Sequence, residues 1–106
     1  MPVVEIDLAA EAALIEAAGV DVSVPIRVRH VLLVHDPAAA ETLAALVGAE
    51  GYDATIDTHD GGWTWIVGAA RTVTLSPAYA AEARVALTML AARHGAEYEG
   101  WEVTTS

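Results

Sequence analysis

Apolar and polar positions along the chain alternate with two different periods, and the changes of period mark out its elements. The run LAAEAALIEAA, with Asp7 before it and Gly19 after it, predicts a helix from about Leu8 to Ala18. Leu8, Ala12 and Ile15 form its expected inner face, Asp7 its N-cap, and Gly19 its left-handed exit. A linker, GVDVSVP, ends at Pro25. IRVRHVLLVH (26 to 35) then predicts a strand with Ile26, Val28, His30, Leu32 and Val34 on one face. Arg27, Arg29, Val31, Leu33 and His35 occupy the other. Aliphatics on both faces argue for a central strand. DPAAAETLAALVGAEG reads as a helix capped by Asp36, opened by Pro37 and closed by Gly51.

YDATIDTH alternates Tyr52, Ala54 and Ile56 against Asp53, Thr55, Asp57 and His59, the pattern of a half-buried strand. Asp60, Gly61 and Gly62 signal a tight turn, and WTWIVGAARTVTL returns as the second strand of a hairpin. SPAYAAEARVALTMLAARHG repeats the helix grammar, with Ser76 as cap, Pro77 in the first turn and Gly95 as stop. Arg93 and His94 fall in its last turn, where positive charge suits the helix dipole. EYEGWEV forms the last strand. The order is a helix followed by β-α-β-β-α-β, which predicts an α+β, ferredoxin-like arrangement: a four-stranded antiparallel sheet with two helices on one face. Residues 1–24 are expected to form an N-terminal helix and linker packed on a domain running from 25 to 106.

The last strand poses a parity problem. Tyr98 and Trp101 are three apart and would point to opposite faces of a regular strand. A β-bulge near Gly100 adds one residue and turns Tyr98, Trp101 and Val103 to one side, leaving Glu97 and Glu102 in water. Glycine suits such a bulge because it accepts positive φ. Trp63, Trp65 and Trp101 are then expected to fill the core of a chain without phenylalanine.

Composition narrows the function classes. The chain is 106 residues long and 55% hydrophobic, mostly through alanine, so it has the length and the apolar content for one core. Fifteen acidic residues face five arginines and no lysine, a net charge of −10. That field repels phosphate and disfavours nucleic acid and anionic membrane surfaces. There is no cysteine, hence no disulfide or thiolate site. No run approaches about 18 uninterrupted apolar residues, the length of a membrane span. The N-terminal stretch carries acids where a secretory signal needs basic charge, so cytoplasmic residence is expected.

The motifs of catalysis are missing. The glycines make neither G-x-G-x-x-G nor a phosphate loop, and the three serines sit in a linker, at a helix cap and at the terminus. His30 and His35 have opposite strand parity and cannot share a ligand. His59 between Asp57 and Asp60 reads as a polar hairpin end before it reads as a metal site. His30 reads as a satisfied buried histidine, and Glu97 with Glu99 as a solvated face. The expectation is a non-enzymatic protein without cofactor or metal. An enzymatic reading requires a pocket that gathers His30 with Tyr98 or Glu102.

Two surfaces remain. Base-stacking sheets of RNA-binding domains carry exposed aromatics, but Trp63 and Trp65 share parity with Val67, Ala69 and Val73, the side expected under the helices. The uncovered face should show Arg27, Arg29, Val31 and Leu33 beside Thr64, Ile66, Gly68 and Ala70. Arg27, Arg29, Val31, Leu33 and Ile66 are therefore the candidate contacts for a protein partner or for a second copy of the chain.

The run RHGAEYEGWE (93 to 102) resembles the closing signature of the RraB family, regulators of ribonuclease E activity, whose members end a helix and enter G-x-E-Y-D-G-W. RVRHVLLVHDPAAAETLAALVGAEGYDATI is similar to that family's opening strand, alanine-rich helix and following strand, and GGWTWIVGAARTVTLSP to its hairpin strand. Together these cover roughly residues 20 to 103. Glu99 stands in place of the usual Asp, and Ala96 where Gly is common. The resemblance marks His30, Tyr98, Gly100 and Trp101 as motif residues. It implies a ferredoxin-like fold with an added N-terminal helix, and a non-enzymatic cytoplasmic protein that binds ribonuclease E and lowers its activity. The alternative is a homodimer that pairs through the open sheet face and holds a small ligand.

Overall fold

A computed structural model describes residues 7–59 and 62–104. Its elements run α1 (Leu8–Ala18), β1 (Ile26–Val34), α2 (Pro37–Ala49), β2 (Asp53–His59), β3 (Thr64–Val73), α3 (Pro77–Arg93) and β4 (Glu97–Thr104). The strands form one antiparallel sheet in the order β2-β3-β1-β4. This is the ferredoxin-like α+β arrangement, with β1 central as its two-sided aliphatic pattern requires.

Local chemistry starts each helix. Asp7 accepts from the Ala10 N–H, Asp36 from Ala38 and Ser76 from Tyr79, and Pro37 and Pro77 open α2 and α3. Gly19 ends α1 at φ 67°. Helices α2 and α3 lie on the even-numbered face of β1. Buried alanines at 40, 80, 83 and 91 let their backbones approach the sheet.

Two apolar clusters form beneath this layer. One joins Leu32, Val34 and Val67 of the sheet to Leu43, Val47 and Leu87 of the helices. The other joins Val28, Leu75 and Ala80 to Ile15 of α1, with Trp101 and Val103 packed against it. Helix α1 thus lies beside α3 over the end of the sheet that α2 and α3 leave open.

Four side-chain expectations fail. Of the β3 residues expected to show on the uncovered face, Thr64, Gly68 and Ala70 are buried, and only Ile66 is partly exposed. In α1 the buried residues are Glu11 and Ile15, while Leu8 and Ala12 face outward. Glu11 goes inward because a cation and an indole N–H meet it there, as described below. In β2, Ala54 and Ile56 are exposed despite their alternation, since β2 is an edge strand of the sheet. Trp63 supplies no core volume: it lies in the turn before β3 and is 82% exposed, whereas Trp65 packs against the first cluster. The tight-turn residues Asp60 and Gly61 lie outside the described residues, as does the side chain of His59.

Candidate functional site

The two faces of β1 carry two different arrangements. On the helix-covered face, Val28, His30 and Leu32 stand opposite Val103, Trp101 and Tyr98 of β4. The register slips between Val31 and Leu32, because Val31 pairs with Gly100 and Leu32 with Tyr98. Glu99 is the extra residue, Gly100 takes φ 133°, and both aromatics turn inward.

His30 is wholly buried between the two apolar clusters. Its Nδ1 lies 2.8 Å from the Tyr98 hydroxyl and its Nε2 3.2 Å from that of Tyr79. Burial, with Arg71 and Arg84 nearby, lowers its pKa from 6.5 to about 4. Burial also raises the pKa values of Tyr79 and Tyr98. All three groups are neutral near pH 7, so the chain of hydrogen bonds holds no charge to pass on.

A second buried polar group adjoins it. Arg84 Nε donates to Glu11 Oε1 at 2.5 Å, and Trp101 Nε1–H donates to Glu11 Oε2 at 3.1 Å. The Arg84 guanidinium in turn lies 5.4 Å from the Tyr98 ring centroid. Glu11 is 3% exposed, which its position in an alanine-rich helix does not announce. Its spacing of four from Ile15 is the signal that places both on one face. The gathering of His30 with Tyr98 therefore exists, but inside the closed core, and Glu102 sits on the opposite face.

That opposite face brings Arg27, Arg29, Val31, Leu33 and Ile66 together. Leu33 pairs with Ile66, and Val31 lies between Gly68 of β3 and Gly100 of β4. Val31, Leu33 and Ile66 are half-buried. The arginines are engaged within the fold: Arg27 Nη2 meets Asp53 at 2.7 Å, while Arg29 meets Glu102 at 2.9 Å and Asp57 at 3.6 Å. To reach Asp57 on β2, Arg29 lies across β3 over Gly68. A Cβ on Gly68 would stand 2.6 Å from both Arg29 Nε and Thr55 Oγ1. The face is thus an aliphatic patch beside a lattice of exposed ion pairs. Among the described residues no three His, Asp or Glu side chains gather as a metal site, and no helix is long and apolar enough to cross a membrane.

Fold and sites together define a ferredoxin-like α+β protein whose buried His30 and Glu11 are each held by hydrogen-bonded partners and whose other sheet face is left uncovered by the helices. The family model described as RraB, "Regulator of ribonuclease activity B", matches residues 11–103, and the chain belongs to that family. The family is one of regulators rather than catalysts. No curated protein and no solved structure matches the chain.

Proposed function

We propose that this chain binds ribonuclease E, or a closely related RNA-degrading enzyme, as a protein partner and lowers its activity. The observation that carries this reading is the family match over nearly the whole chain. The uncovered sheet face supports it as the contact. Val31, Leu33 and Ile66 supply apolar area, and the ion pairs of Arg27 and Arg29 form a polar rim around it. Because those arginines already have carboxylate partners, the aliphatics carry the binding energy, and the arginines hold the face in shape.

Purified protein should slow ribonuclease E of the same organism at near-stoichiometric ratio. It should leave an unrelated ribonuclease untouched, because it acts on the enzyme and not by masking RNA. Leu33→Asp should weaken inhibition without loss of fold, since Leu33 is half-exposed and outside both apolar clusters. A folded protein that neither binds nor slows the cognate enzyme removes the reading. If sedimentation instead shows a dimer that Leu33→Asp dissociates, the same face joins two copies of the chain.

A further inference from the structure

The five arginines are not used alike. Arg27, Arg29 and Arg84 each meet a carboxylate. Among the described residues, Arg71 and Arg93 meet none within 4.0 Å, in a chain with fifteen acidic side chains. Both line one cleft of about 370 Å³ between α2 and α3, together with Val47, Tyr52, Leu87 and Leu90.

Arg71 comes from the helix-covered face of β3. Its guanidinium carbon lies 3.9 Å from the Tyr52 ring centroid, and Tyr52 is itself buried. The Tyr52 and Tyr79 side chains hydrogen-bond to the guanidinium, yet its Nε is buried with no hydrogen-bond partner among the described residues. A buried donor atom without an acceptor is costly, and it leaves room for a water, an ion or a ligand to complete it.

The ends of the two helices do not account for these cations. The carbonyls of Leu46, Val47 and Gly48 accept backbone N–H groups from residues 50 to 52, and those of Ala91 and Ala92 accept from residues 94 to 96. The last turns close on their own backbone.

We infer that this cleft binds a small organic monoanion, a carboxylate carried on an apolar or aromatic group. The volume is in the range of small-molecule sites, which pair apolar walls with a few polar anchors. A guanidinium held over a ring presents a donor fork suited to a carboxylate. Glu50 also lines the cleft, so two cations and one anion there favour a single negative charge over a dianion. The site is remote from the uncovered sheet face and does not depend on the ribonuclease reading.

The test is a nitrogen–proton NMR titration of the full chain, with no ribonuclease present, that follows backbone amides and the Arg71 Nε–H. Phenylacetate and hexanoate are the probes, with their neutral amides and inorganic phosphate as controls. A carboxylate should move Arg71, Tyr52 and Leu87 saturably, and its amide should bind at least about tenfold more weakly, as expected for losing a charge-assisted pair. Arg93→Gln, at an exposed position, should weaken binding while leaving the rest of the spectrum in place. Absence of saturable movement with either carboxylate overturns the inference, as does equal binding of the amides. Phosphate binding as tightly as the carboxylates would show an adventitious anion only and would also overturn it.

Discussion

His30 ties the stability of the whole sandwich to pH. In the folded chain its imidazole is wholly buried and hydrogen-bonded at both nitrogens, and it takes up a proton only near pH 4. Unfolded, it does so near 6.5. Between those values the unfolded state holds more protons, so stability rises with pH there and is lost on acidification. The loss begins as pH falls through 6.5 and is complete below about 4. At about 1.36 kcal/mol per pH unit, the full gap is worth roughly 3 kcal/mol. By pH 5 about 2 kcal/mol should already be gone, a large share of a small domain's stability. Carboxylates titrate in part of the same range, so the assay must subtract them. Urea unfolding of the wild-type chain and of His30→Gln, each at pH 7.5 and 5, gives that difference. The wild-type chain should lose about 2 kcal/mol more than the variant. Imidazole NMR offers a second check: at pH 5 His30 should still be neutral. Equal pH dependence of the two chains, or a His30 resonance that titrates near 6.5, would refute the argument.

Two further expectations concern the devices around β1. Gly68→Val places a branched side chain where Arg29 crosses β3 and should lower stability by about 1–3 kcal/mol, the usual cost of overpacking. Glu102→Ala, which removes only an exposed partner of Arg29, should cost under about 1 kcal/mol, so matching urea midpoints for the two would sink the steric account. In the buried polar group, Glu11→Ala should cost about 3 kcal/mol or more, because it strands Arg84 and the Trp101 N–H together. Trp101→Phe removes the N–H alone and should cost about 1–2 kcal/mol. A Glu11→Ala chain as stable as wild type in thermal unfolding would mean that α1 contributes little to the fold.

Much of the architecture follows from local signals that need no tertiary partner. Asp7, Asp36 and Ser76 cap helices because a short side-chain acceptor beside a free backbone N–H suffices, and Pro37, Pro77 and the glycines at 19, 51 and 95 punctuate them for equally local reasons. The parity conflict of Tyr98 and Trp101 likewise points to the bulge at Gly100, since side-chain alternation is a property of one strand. What each face meets is another matter, because it depends on elements distant in sequence. Glu11 is buried only because Arg84 and Trp101, 73 and 90 residues away, bring a cation and a donor to it. Trp63 is exposed only because β3 begins one residue later, and Ile56 because its strand is the sheet's edge. Arg29 can span two strands only because Gly68, 39 positions on, has no side chain. Periodicity specifies which residues share a side, whereas burial and charge pairing are set by what the folded chain places opposite them.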